Sequence, residues 1–373
     1  MHRSFPLIRR RIVVVAGARP NFMKVAPLWR ALGRYTDEIE PIFVHTGQHY
    51  DAMMSLTFLR DLALPRPHFH LGVGSGSHAE QTGKVMIRFE RVLEEVDPEV
   101  VLVVGDVNST AACTLVCSKA GVPLGHVEAG LRSYDRSMPE EVNRLITDSL
   151  SDFLFTPSRD ANENLIAEGI PSRKIFFVGN IMVDSLKWAR PKARSSKIRD
   201  RLGITNRPYV LLTLHRPSNV DTMERLRSIW GAIEALGRER PVVFPVHPRT
   251  KHRLVSFGIK PDRGVILSEP LSYLDFLNLE ENAVFVLTDS GGIQEETTYL
   301  GVPCLTLREN TERPITVTLG TNVLVGVNPD RILFWAKQAT RGSWKKGKKP
   351  PYWDGRTAER IVEVLRRHSG NSQ

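Results

Sequence analysis

Short β-branched runs alternate with amphipathic helical stretches along nearly the whole 373-residue chain, and this alternation restricts the fold more than any other feature. Strands separated by helices pair in parallel, and successive βαβ units build doubly wound α/β sheets. The candidate strands form two series. The first is Ile12–Ala16, Ile42–His45, Val100–Val104, Pro123–Val127, Phe153–Phe155 and Ile175–Val178. The second is Tyr209–Thr213, Val242–Val246, Gly264–Leu267, Val284–Thr288, Pro303–Thr306 and Val323–Val325. Between them, from Lys187 to Asn206, periodicity fades and Pro191, Lys192, Arg194 and the Ser195-Ser196 pair gather, which marks a domain junction. Single cores stop growing near ~250–300 residues, so two Rossmann-like domains are expected, residues 1–186 and 187–354, with a closing helix in about 355–373. Doubly wound domains hold ligands at the carboxyl ends of their strands, which predicts a site in the crevice between the halves.

Composition narrows the function. With 41% hydrophobic and 25% charged residues the chain is neither disordered nor fibrous. No apolar run approaches the ~20 residues of a membrane span. Arg9, Arg10 and Arg11 precede a short strand instead of a signal-peptide core, so a cytoplasmic location is expected. Three cysteines cannot frame a disulfide scaffold; Cys113, Cys117 and Cys304 read as small core residues. The net charge of +10 suits a phosphorylated substrate. The dense basic runs, Arg9–Arg11 and Lys345–Lys349, lack interleaved aromatics, so nucleic acid is not expected as a partner.

Several strand ends carry chemistry. After the first strand come Gly17-Ala18-Arg19-Pro20-Asn21-Phe22-Met23-Lys24, where Gly17 permits a tight turn and Pro20 suits a helix start. The helix N-terminus, with Arg19 and Lys24, would attract an anion; the same residues also read as solvated surface charges. The motif is not G-x-G-x-x-G, which argues against NAD. Asp106 follows Val100–Val104 and either faces a ligand or caps the next helix. Glu128 follows another apolar strand, so either Arg132 neutralises it or a ligand uses it. Of the acids in Pro139-Glu140-Glu141-Val142-Asn143-Arg144, the helix dipole accounts for one.

In the second half, His215-Arg216 and His247-Pro248-Arg249 close successive strands, and two such histidines beside arginines favour a phosphate-lined cleft. Asp289-Ser290-Gly291-Gly292-Ile293-Gln294-Glu295-Glu296 is the sharpest signal. Ser-Gly-Gly at a helix start exposes backbone N–H groups to a diphosphate, and a carboxylate one turn on can hold ribose hydroxyls. No metal is expected: His45 and His49 span a strand end and a glycine, with no cysteine pair to help. No G-x-S-x-G elbow supports a serine hydrolase.

Taken in order, GARPNFMK, TGQHYDAM, GDVNST, HVEAGLRS, PEEVNR, TLHRPSN, PVHPRT, DSGGIQEE and TERPIT resemble the non-hydrolysing UDP-N-acetylglucosamine 2-epimerase family over nearly the whole chain. The resemblance implies a GT-B fold, with the C-terminal helix returning to the first domain, and a cytoplasmic homodimer that needs no cofactor and supplies ManNAc units for cell-surface polysaccharide. It implies Asp106, Glu128, Glu140 and His215 as the catalytic set, with Arg19, Lys24, Ser290, Gly291, Gly292, Glu296 and Arg313 on UDP. His247, from its strand-end position, joins the substrate groups.

The chain departs from the family pattern in places. Asn21 stands where a glutamate is usual, His215-Arg216-Pro217-Ser218 replaces His-Arg-Arg-Glu, and the loop from Arg132 to Pro139 is short. Some members bind a second UDP-GlcNAc as an activator; Gln48 and Arg216 match that allosteric site, whereas Asn21 and Ser218 argue against it. The implied reaction expels UDP to give 2-acetamidoglucal and re-adds it after proton return on the other face. Rival readings are a hydrolysing 2-epimerase, a 2-epimerase for a UDP-diacetamido uronic acid, and a GT-B glycosyltransferase.

Overall fold

The computed structural model describes residues 9–48 and 59–368; His49 and the rest of the TGQHYDAM motif, through Met53, lie outside the described residues. The chain divides into two compact units. One comprises the described residues up to Ser185 together with those from Pro351 onward, and the other is Leu186–Pro350.

The first unit holds seven parallel strands: β1 (Arg10–Ala16), β2 (Ile39–His45), β3 (Phe69–His70), β4 (Val100–Val104), β5 (Leu124–Val127), β6 (Phe153–Thr156) and β7 (Ile175–Phe177). Their order is β3-β2-β1-β4-β5-β6-β7, so the winding reverses between β1 and β4. The second holds β8 (Val210–Thr213), β9 (Val242–Pro245), β10 (Val265–Ser268), β11 (Phe285–Thr288), β12 (Cys304–Thr306) and β13 (Asn322–Leu324), in the order β10-β9-β8-β11-β12-β13, with its reversal between β8 and β11. Every pairing is parallel. Helices cover both faces of such sheets, so central strands read as unbroken apolar runs: Val100–Val104 is buried throughout. All the strands expected from sequence are present; the added edge strand β3 spans only two residues, too few for a pattern to show.

The stretch expected as an irregular junction is largely helical. Ile181–Ala193 forms one helix, started by Asn180, whose side chain accepts from the Met182 amide at 2.8 Å. Pro191 lies in its last turn, where little helix remains to be broken. In the first unit the helix Thr357–His368 packs on the helix Arg19–Leu32. Its free N-terminal amides, Thr357 and Ala358, donate to the buried Asp184 carboxylate at 3.2 and 2.9 Å. Cys113, Cys117 and Cys304 are buried free thiols. Among the described residues no helix is long and apolar enough to cross a membrane.

Candidate active site

At the β1/β4 reversal of the first unit, Asn21 ties the two strand ends together. Its Oδ1 accepts from the amides of Gly17 and Ala18 at 3.2 and 2.8 Å, while Nδ2 donates to Val104 O at 3.0 Å. A glycine is required at 17, because a Cβ would fall 2.8 Å from Ser109. Arg19 opens the helix, but its side chain lies outside the described residues. Lys24, one turn further, does not stand on the surface: its ammonium contacts the Glu128 carboxylate, and both are buried.

Glu128 has φ 75°, the left-handed region where a side chain costs about 1–3 kcal/mol, and such strain collects at functional sites. The strain is held by the amides of Glu128 and Ala129, which both donate to Phe155 O at 3.1 Å. Glu128 Oε1 is buried with no hydrogen-bond partner among the described residues. Gly105, with φ 70°, lets this cluster close, since a Cβ there would sit 2.6 Å from Lys24 Nζ. Asp106 follows at once. Its carboxylate is 27% exposed and lies 3.2 Å from Arg144 Nε, and its carbonyl accepts from Asn143 Nδ2 at 2.9 Å.

The helix Pro139–Leu150 separates the two adjacent glutamates. Glu141 is buried, contacts Arg144, and accepts from the amide and hydroxyl of Ser133 at 2.9 Å each and from the Tyr134 amide at 3.0 Å. Burial alone would raise its pKa, but these donors hold it below the ordinary carboxylate value. Glu141 therefore fastens the loop before its helix. Glu140 is exposed and makes no hydrogen bond or ion pair among the described residues. Arg132 does not neutralise Glu128, correcting one of the two readings of that acid. It pairs with Asp148 at 2.7 Å and with Glu168 at 2.6 Å, while Lys24 takes the role instead.

In the second unit the site forms around Asp289, fully buried at the end of β11. Its carboxylate lies 2.9 Å from His215 Nδ1 and accepts from the His215 amide at 3.0 Å, the Arg216 amide at 2.8 Å and Asn219 Nδ2 at 3.2 Å. Burial would raise the Asp289 pKa; the hydrogen bond and charge of His215, with these amides, hold it below the usual range. The result is a His–Asp pair that presents a 41% exposed imidazole at the β8/β11 reversal. His247, exposed, caps the helix Pro248–Ser256 by accepting from the Arg249 amide at 3.2 Å, with its ring 5.9 Å from that of His215.

Ser290 is the N-cap of the helix Gly291–Leu300, and its side chain makes no capping bond. A Cβ on Gly291 would fall 2.5 Å from Arg313 Nη1, so the guanidinium lies directly over the glycine turn. Arg313 pairs with Glu295 at 2.8 Å and Glu312 at 2.7 Å; Glu312 is also reached by Arg308 at 2.7 Å and by Arg216 at 3.4 Å. Three guanidiniums share two carboxylates here, a cationic excess beside the turn of Ser290, Gly291 and Gly292, in which Gly291 is buried and its two neighbours are half-buried. Glu296 is buried and accepts from Tyr273 Oη at 2.6 Å. Burial pushes Glu296 up to about 7, and burial with the facing charge of Glu296 pushes Glu280 well above the carboxylate range.

Gln48 is engaged internally: Oε1 accepts from Ser109 Oγ at 2.9 Å and Nε2 donates to Gln81 at 3.2 Å. Arg216 Nε donates to Asp289 O at 3.0 Å. Sequence reasoning missed Asp148, Asp289 as the partner of His215, and Arg144 as the partner of Asp106. Asp289 stood inside a motif already singled out; the spacing of Glu141, Arg144 and Asp148, three and four residues apart, marked one buried helix face. Among the described residues no cluster of three or more histidines, cysteines or acids could hold a metal.

Two parallel doubly wound units, one with a glycine-rich helix start under an arginine and one with carboxylates at its reversal point, define a nucleotide-sugar enzyme of the GT-B class. The UDP-N-acetylglucosamine 2-epimerase family model matches residues 31–366, and the chain belongs to that family. It is 43% identical over 364 residues to the UDP-N-acetylglucosamine 2-epimerase of Methanocaldococcus jannaschii, covering 95% of this chain and 98% of the relative. A crystal structure of the M. jannaschii enzyme in complex with UDP-GlcNAc and UDP superposes with a TM-score of 0.89 at 43% identity, over 96% of this chain and 99% of that one. The UDP-2,3-diacetamido-2,3-dideoxy-D-glucuronate 2-epimerase of Pseudomonas aeruginosa is 40% identical, over 95% of this chain and 99% of its own.

Proposed function

We propose that this chain interconverts UDP-N-acetylglucosamine and UDP-N-acetylmannosamine at C2 by a non-hydrolysing route. The carrying observation is the buried Lys24–Glu128 contact beside Asp106, with Glu128 Oε1 left without a hydrogen-bond partner among the described residues. A buried carboxylate on a strained backbone turn at a strand end is suited to a substrate hydrogen.

The C2 proton has no adjacent ketone, so abstraction is coupled to departure of the nucleotide. As the C2–H bond breaks, its electron pair forms the C1=C2 bond and the C1–O bond to UDP breaks, giving 2-acetamidoglucal. Proton delivery to C2 from the opposite face and return of the UDP oxygen to C1 complete the inversion, with no change of oxidation state. Asp106 and Glu128 form the proton-transfer pair and Glu140 supports them. His215, oriented by Asp289, serves the phosphate side. Arg19, His247, Ser290, Gly291, Gly292 and Arg313 stabilise the leaving diphosphate, and Glu296 serves the ribose. Lys24, set down for UDP from the sequence, is better suited by its contact to steadying Glu128.

The family reading also carries a homodimer working in the cytoplasm, supplying ManNAc units for surface polysaccharide. The 40% identity to the Pseudomonas enzyme keeps a diacetamido uronic acid as a second substrate reading. Incubation with each UDP-sugar, followed by product analysis, tests both. UDP-ManNAc from UDP-GlcNAc supports the proposal, free ManNAc supports hydrolysis, and turnover of only the uronic acid supports the second reading.

A further inference from the structure

We propose that the buried pair His126–Asp148 is a positioning device that sets the two backbone turns carrying Asp106 and Glu128. The proposal rests on the assignment of those two acids to proton transfer. His126 is fully buried on β5, and both ring nitrogens face acceptors: Nε2 lies 2.9 Å from Gly105 O and Nδ1 lies 2.6 Å from Asp148 Oδ1. Gly105 is thus held twice from one neighbouring strand, because its amide also donates to Val127 O at 3.0 Å. Asp106 is the next residue.

The other end of the pair holds the second turn. Asp148 Oδ2 accepts from the Gly130 amide at 3.0 Å and meets Arg132 Nη1 at 2.7 Å, and Arg132 forks onto both oxygens of Glu168 at 2.7 and 2.6 Å. Gly130 O accepts from Asn164 Nδ2 at 2.8 Å, and a Cβ on Gly130 would fall 2.3 Å from Ala161 O. The segment from Glu128 to Arg132 therefore has one available path, and the left-handed Glu128 is part of it.

A buried ion-pair chain is a poor way to gain stability, since apolar side chains of similar volume often serve as well or better. What it supplies is geometry. Displacing a reacting group by about 1 Å costs on the order of 10²-fold in rate, and one histidine here links the turns that follow β4 and β5.

The test compares H126L, H126Q and D148N with D106N and E128Q, measuring kcat on UDP-GlcNAc, UDP affinity by calorimetry, and thermal unfolding. H126L is expected to lose about 10²-fold in kcat while UDP affinity, assigned above to groups that His126 does not touch, stays within about twofold. H126Q can still donate to Gly105 O and is expected to recover about tenfold of that loss. D148N keeps an acceptor for Gly130 but loses the charge facing Arg132 and His126, and is expected to lose about tenfold or more in kcat. A folded H126L with wild-type kcat overturns the proposal, as does an H126Q no better than H126L. If H126L does not fold, D148N decides, and wild-type kcat in that variant overturns the proposal. If D106N and E128Q themselves retain full turnover, the catalytic assignment is what fails.

Discussion

The ammonium of Lys24 rests against the carboxylate of Glu128 inside the first unit, with 7% and 4% of the two residues exposed. Removing one partner of a buried pair leaves an uncompensated charge. K24M is expected to destabilise the protein by about 3–5 kcal/mol, and K24M/E128Q to regain most of that loss. Urea unfolding of the two single variants and the double variant measures the coupling; additive losses would contradict a direct pair.

Glu140 and Glu141 are expected to separate cleanly. E141Q removes the charged acceptor of Ser133, Tyr134 and Arg144 and should cost about 1–3 kcal/mol of stability. E140Q, altering an exposed side chain, should leave the melting temperature unchanged and lower kcat about 10²-fold. Equal effects on both readouts would remove the distinction.

At the glycine turn of the second unit, G291A would drive a methyl group to 2.5 Å from Arg313 Nη1. The guanidinium must move off the turn, so UDP affinity is expected to fall about tenfold, or ~1.4 kcal/mol. Calorimetric titration with UDP checks this; unaltered affinity would detach Arg313 from the diphosphate.

Burial raises Asp184 to about 6, although it accepts from the amides of Thr357 and Ala358. The folded state thus holds this proton more tightly than the unfolded chain. The corresponding stability is present below the ordinary value near 3.8 and lost as pH rises through about 6. Relative to D184N, which does not titrate there, the wild type should lose roughly 2–3 kcal/mol between pH 4 and 7. A pH-independent difference in unfolding free energy would contradict this.

The strands and the strand-end motifs were legible because a parallel sheet covered on both faces writes apolar runs directly into the sequence, as at Val100–Val104 and Phe285–Thr288. What pairs with what was not legible. Lys24 read as a cation for a bound anion, or as a solvated charge, because nothing local reveals that Gly105 opens a path to Glu128, 104 residues away along the chain. Arg132 stood four residues from Glu128, yet its partners are Asp148, on the helix Pro139–Leu150, and Glu168, at the end of the helix Arg159–Ala167. The helical junction around Pro191 was hidden because proline and charge clusters also mark loops, and only the remaining turns show that the helix ends there.

Proton NMR of UDP-GlcNAc incubated with the enzyme in heavy water tests the central claim most directly. Deuterium should enter C2 as UDP-ManNAc forms, with 2-acetamidoglucal and UDP detectable in passing, and E128Q or D106N should abolish the exchange. Inversion with the original hydrogen retained at C2, or release of free ManNAc in place of the nucleotide sugar, would contradict it.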